Sequence, residues 1–230
     1  MIKDKTALFT IPFAGGNRFS FNRFNRYLED DFDIYHLELA GRGERISEGL
    51  MSDIYEIRDD LFRQIMDKAN GDYIIYGHSL GGLLGYLLIL LLEEKGLPRP
   101  LRFIVSGRAN PCMRPPYIRY NLAKDDFIKS LKKLGGMPSE FFNHSELFNF
   151  FEPILRADFE AVEKFDFSET RKIGTKISVL YGKDESFSLT DAMRWRDFTT
   201  HNSIEFYEFQ GDHFFIYNHI ETICKIIRAK

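Results

Sequence analysis

Cysteine is scarce in this chain: Cys112 and Cys224 are its two thiols in 230 residues. They lie far apart, with neither a disulfide framework nor metal-ligand spacing between them, which suits reduced thiols in a cytoplasmic protein. Charge of one sign is also missing. The 31 basic and 34 acidic side chains leave a net charge of -3. No broad phosphate-binding surface follows from that, and nucleic acid is not an expected partner. Long apolar runs are absent too. The longest, L-L-G-Y-L-L-I-L-L-L from Leu83 to Leu92, closes on Glu93-Glu94-Lys95. It falls short of the roughly 20 residues a bilayer span needs and predicts a fully buried helix instead, with no membrane partner. The opening M-I-K-D-K-T shows no long apolar leader and no small-residue cleavage site, so secretion is not expected. Repeats, low-complexity tracts and Gly/Ser linkers are lacking, which points to a single domain over 1–230, and a monomer is the default expectation.

What is present alternates. Short apolar segments at 7–11, 33–39, 73–76, 101–105, 176–181 and 204–209 read as strands. Helical spacing recurs at 19–28, 53–68, 80–95, 190–198 and 214–228. Strands alternating with helices predict an α/β fold, with a mostly parallel central sheet flanked by helices on both faces. The stretch from about 124 to 167 breaks the rhythm. It contains helical patterns at 125–134 and 145–165 and nine of the 23 phenylalanines, too apolar for a solvated connector. It is expected to be a helical cap inserted into the α/β domain.

The sharpest signal is Gly77-His78-Ser79-Leu80-Gly81, a G-x-S-x-G between an apolar strand and a long apolar helix. A serine on so tight a turn sits in strained backbone, and the flanking glycines remove Cβ atoms that would collide. In strand–turn–helix context this is the nucleophile elbow of an α/β-hydrolase fold. Serine needs a base to take its proton. Of six histidines, His213 in Gly211-Asp212-His213 follows the last strand, at the carboxyl edge where open α/β sheets bind ligands. His213 in turn needs a carboxylate to fix its tautomer. The loop after the 101–105 strand has no acid, whereas the loop after the 176–181 strand reads Gly182-Lys183-Asp184-Glu185. Asp184 is the expected acid, with Glu185 the adjacent competitor; Asp212 is poorly placed to reach its own neighbour's ring. For the oxyanion, the backbone N–H of Leu80 is one expected donor. The N–H of Ala14, in the loop Pro12-Phe13-Ala14-Gly15-Gly16, is the other.

The chain resembles the type II thioesterases, free-standing editing hydrolases of nonribosomal peptide and polyketide synthases. The resemblance spans nearly the whole length. It rests on I-P-F-A-G-G (11–16), L-A-G-R-G-E-R (39–45), G-H-S-L-G-G (77–82), S-G-R-A-N-P (106–111), L-R-A-D-F (155–159), G-K-D (182–184) with Trp195 downstream, and G-D-H-F-F (211–215). The sequence departs from the family pattern at Ala40, where proline is typical, and at Asp212, where glycine is usual. The resemblance implies hydrolysis of acyl thioesters carried on the phosphopantetheine arm of a carrier protein. The residues by themselves imply acyl transfer to water, which needs no metal or organic cofactor. Arg108, Arg114 and Arg119 lie after the 101–105 strand and are candidates for a rim that docks an acidic carrier, against the plainer reading of solvated charges. Arg42 and Arg45 are expected to brace loops. A small-molecule carboxylesterase with the same residues, or a noncatalytic binding protein on the same scaffold, are the rival readings.

Overall fold

The computed structural model describes residues 5–115, 117–167 and 171–229. Six strands form one sheet: β1 (Thr6–Ile11), β2 (Phe32–His36), β3 (Tyr73–His78), β4 (Arg102–Ser106), β5 (Lys176–Gly182) and β6 (Ile204–Phe209). They lie in the order β2-β1-β3-β4-β5-β6, and every neighbouring pair is parallel. A parallel sheet needs crossover helices on both faces, and the strand sequences show it. On β3, Tyr73 and Ile75 join the core on one face, while Ile74 and Tyr76 join the core on the other. The first face is covered by α2 (Ile54–Ile65) and α3 (Leu80–Glu94), and the second by α1 (Asn22–Leu28) and α8 (Ile220–Arg228). The run at 83–92 is buried throughout, as its lack of a polar face requires. Among the described residues no helix is long and apolar enough to cross a membrane.

The order reverses between β1 and β3. Chain leaving β1 moves outward to β2 and then returns to β3 on the other side, so the crevice above the carboxyl ends of β1 and β3 is the topological switch point, where open α/β sheets take ligands. Register places Ile11 opposite Gly77. The loop after β1 and the turn after β3 are thereby brought together.

Between β4 and β5 run α4 (Lys124–Leu134), α5 (Ser139–Asn143) and α6 (Ser145–Glu163). Phe127, Leu131, Phe148, Leu155 and Phe159 form a core of their own, with Ala14 of the β1 loop packed against it. Ala161, Val162, Phe165 and Phe167 belong to the sheet's core. So the phenylalanines of this segment divide between two cores. Three predicted helices are shorter than their periodicity suggested. The 190–198 helix is α7 (Leu189–Met193) followed by a 3-10 turn at Arg194–Phe198. Likewise, 3-10 turns at Arg18–Phe21 and Phe215–Tyr217 precede α1 and α8. Helix α5 was not anticipated.

Candidate active site

Ser79 stands between β3 and α3 with φ 54 and ψ -111, the only positive φ at a non-glycine position among the described residues. Backbone strain of this kind persists only where the surroundings enforce it. They do so here. The Ser79 N–H donates to the Ser106 carbonyl of β4 at 2.8 Å. A Cβ on Gly77 would lie 2.2 Å from the Gly81 carbonyl oxygen, and one on Gly81 would lie 2.1 Å from the Ile11 carbonyl oxygen. Gly82 is confined as well, though less tightly, its Cβ position 2.8 Å from a Val105 methyl. The glycines of G-H-S-L-G-G are therefore steric necessities, and the turn they permit leaves Ser79 half-exposed at the mouth of α3.

One cleft, half open to solvent with about 780 Å³ of empty space including its mouth, is lined by Ser79, Leu80, Ala14, Glu185 and His213 together. The His213 imidazole is held from behind: Nδ1 lies 3.0 and 3.2 Å from the two carboxylate oxygens of Glu185. A carboxylate only accepts, so Nδ1 carries the proton and Nε2 keeps the lone pair a general base requires. The Glu185 side chain is 2% exposed, and water does not dilute this contact.

The carboxylate that meets His213 is thus Glu185, not the expected Asp184. The reason lies in the turn. β5 continues to Gly182, and the Glu185 N–H closes back on the Gly182 carbonyl at 3.3 Å while the Asp184 N–H donates to Gly211 at 3.0 Å. Asp184 is exposed, and the next residue points inward at the histidine. Asp212 is also exposed and accepts the Phe214 N–H at 2.9 Å, a local turn contact.

Both expected oxyanion donors border the cleft. Among the described residues, neither the Ala14 nor the Leu80 N–H is spent on a protein acceptor. Leu80 is the first residue of α3, whose dipole favours negative charge there. His78 is buried with its ring 4.9 Å from that of His213. Its Nδ1 lies 2.8 Å from the Ser106 hydroxyl, which donates to Tyr76. Burial, and then the neighbouring His213, drive His78 well below the usual imidazole range, so it is neutral. Sequence reasoning missed this packing because it depends on the end of β4 and on Gly107 just after it, which leaves the room: a Cβ there would sit 2.4 Å from the His78 ring.

Arg108, Arg114 and Arg119 all line the same cleft rather than a flat rim. The Arg119 side chain is turned inward and paired with buried Glu163 at 3.4 Å. Arg108 donates to the carbonyls of Asn110 (3.2 Å) and Met113 (3.4 Å), and its own carbonyl accepts from Trp195. Burial lowers it to about 10, which leaves it charged at neutral pH. Arg42 and Arg45 do brace loops. Arg42 pairs with Asp158 through two bonds of 2.5 and 2.7 Å, and Arg45 joins Asp60, Glu48 and the Glu38 carbonyl.

A parallel sheet with helices on both faces, a serine on a strained elbow at the switch point and a carboxylate-held histidine define an α/β-hydrolase of the serine type. Comparison with known proteins narrows that class. The family model "Thioesterase domain" matches residues 6–230, and the chain belongs to that family. It is a serine-dependent thioesterase. It is 28% identical to the gramicidin S biosynthesis protein GrsT of Aneurinibacillus migulanus, over 97% of this chain and 90% of that protein. The medium-chain S-acyl fatty acid synthase thioesterase of Rattus norvegicus is 29% identical, over 91% of this chain and 81% of its own length. Among solved structures, ClbQ from the colibactin NRPS/PKS pathway superimposes with a TM-score of 0.90 at 28% identity, covering 97% of this chain and 95% of that one.

Proposed function

We propose that this chain is a type II, editing thioesterase. It removes aberrant or stalled acyl groups from the phosphopantetheine arm of carrier proteins in a nonribosomal peptide or polyketide synthase. The observation that carries the reading is the convergence of Ser79, a Glu185-held His213 and two uncommitted N–H groups on one cleft of a thioesterase-family chain. Relatives named for gramicidin S biosynthesis and for the colibactin NRPS/PKS pathway support the pathway context.

Ser79 Oγ attacks the thioester carbonyl carbon as His213 Nε2 takes its proton, and the tetrahedral oxyanion rests on the N–H groups of Leu80 and Ala14. Collapse breaks the C–S bond. His213 returns the proton to the leaving sulfur, giving the free pantetheine thiol and an acyl-Ser79 ester. Water, deprotonated by the same Nε2, attacks that ester and releases the acid, and the proton passes back to Ser79. Glu185 stays ionised and stabilises the imidazolium in both halves. Only protein groups and water take part. The α4–α6 segment acts as a cap that shapes the acyl end of the cleft, Leu134, Phe159 and Val162 lining that wall. Arg108, which has no carboxylate partner among the described residues, adds positive potential suited to an acidic carrier.

The test compares kcat/KM for an acyl-loaded carrier protein with that for p-nitrophenyl esters of the same acyl chain. Preference for the carrier is expected; strong preference for the free ester would make the chain a small-molecule esterase.

A further inference from the structure

Two motifs of the sequence, R-G-E-R and L-R-A-D-F, take no part in the chemistry above. The structure joins them at one point. The loop after β1 closes a turn in which the Gly16 N–H donates to the Phe13 carbonyl at 2.8 Å. Ala14 and Gly15 are its central residues, with Gly15 at φ +79, the conformation of a type II turn. The central peptide, joining Ala14 to Gly15, is held here by a side chain from a distant helix. Oδ2 of Asp158, on α6, accepts the Gly15 N–H at 2.7 Å. That carboxylate is wholly buried and would be untenable alone. Arg42, 4% exposed, compensates it with a two-pronged contact and extends a longer one of 3.4 Å to the Gly16 carbonyl. Helix α6 also backs directly on the loop: a Cβ on Gly15 would lie 2.5 Å from Leu155.

We propose that Asp158 and Arg42 are positioning residues for the oxyanion hole, with α6 holding the Gly15 amide so that the adjacent Ala14 N–H stays aimed at the reacting carbonyl. The inference rests on the serine-hydrolase reading of the cleft. It also divides the cap. The same helix fixes the opposite wall, since Glu163 accepts the N–H groups of Arg119 and Tyr120 at 2.7 and 3.0 Å, and Arg156 donates to the carbonyls of Tyr120 and Leu122 at 2.7 and 2.9 Å. An α6 that swung open would dismantle the oxyanion hole.

The experiment is steady-state hydrolysis of an acyl-pantetheine thioester by Asp158→Asn, together with inhibition by an alkyl boronic acid. The boronic acid forms a tetrahedral adduct on Ser79 with an oxygen in the oxyanion hole. Misplacing one donor predicts a fall in kcat of about 10- to 100-fold with KM within about 3-fold, and boronate affinity falling by the same factor as kcat/KM. The double variant Arg42→Met/Asp158→Leu removes both charges and so avoids an unpaired buried ion; it should fold and show the same split. A folded single or double variant with wild-type kcat, or one whose boronate affinity is unchanged, overturns the proposal. Should neither variant fold, amide exchange in the wild-type protein decides. Gly15 is expected to be protected and Ala14 unprotected until the boronate binds, and fast exchange at Gly15 refutes the anchor. Failure of the serine-hydrolase reading would show separately, as turnover surviving Ser79→Ala.

Discussion

Replacing Glu185 by glutamine removes one negative charge from behind His213 while keeping the size of the side chain. In the wild type the carboxylate lies 3.0 Å from Nδ1 on a side chain 2% exposed. When Nε2 takes the serine proton, the imidazolium is stabilised by that charge. At a separation near 4 Å between charge centres and an effective dielectric constant near 20, the interaction is about 4 kcal/mol. Losing most of it lowers kcat by about 10³-fold, because 1.4 kcal/mol is worth one power of ten. The glutamine amide nitrogen adds a second penalty, since it can present a donor to Nδ1 and favour the wrong tautomer. The carboxylate is engaged by His213, so KM should stay within about 3-fold. Asp184→Asn, one residue earlier and exposed, should stay within about 3-fold of wild type in both constants. The assay is thiol release from an acyl-pantetheine thioester, followed with a thiol-reactive chromophore on variants matched for thermal stability. An Asp184→Asn enzyme crippled beside an active Glu185→Gln enzyme would refute this assignment of the acid.

Gly81→Ala would drive a Cβ to 2.1 Å from the backbone oxygen of Ile11, with no flexible side chain to yield; a loss of at least about 3 kcal/mol is expected by denaturant titration, and a variant as stable as wild type would contradict the elbow geometry. Stability should also depend on pH through His36. Burial, and then the charge of Arg18, lower it to about 4, while its ring bonds Thr10 and Asn25 as the neutral form. The unfolded chain binds a proton near pH 6.5 that the native chain refuses, so His36's stability contribution is present above about 6.5 and is lost as pH falls toward 4. The loss approaches 3 kcal/mol at its limit, and urea titrations at pH 7 and pH 5 should show it, diminished in His36→Gln; an identical pH slope in that variant would refute the assignment.

Much of this was readable from residue order because its causes are local. Apolar runs bounded by glycine or proline marked the six strands, and G-H-S-L-G-G located the elbow since no Cβ fits at Gly77 or Gly81 against the neighbouring backbone of Gly81 and Ile11. His213 was legible by elimination, being the one histidine just beyond a carboxyl strand end. The acid was harder. Asp184 and Glu185 are both carboxylates one residue apart, and which of them faces inward depends on where β5 ends and how the turn closes on Gly182. The meeting of Arg42 with Asp158 spans 116 residues of sequence. Its only trace in the chain is the presence of two charged motifs with no chemistry to perform. The packing of His78 on His213 left no trace, for it is set by Ser106 at the end of the neighbouring strand and by Gly107 just beyond it. Short α5 carries too few residues to show a period.

The most direct measurement is intact-mass spectrometry of an acyl-loaded carrier protein mixed with this enzyme, recording both proteins over time. The carrier is expected to lose the acyl mass and keep its phosphopantetheine, the acyl mass to pass transiently onto wild-type enzyme at Ser79, and Ser79→Ala to leave the carrier loaded. A carrier unloaded equally well by Ser79→Ala, or one untouched by the wild-type enzyme while small esters are consumed, would contradict this mechanism.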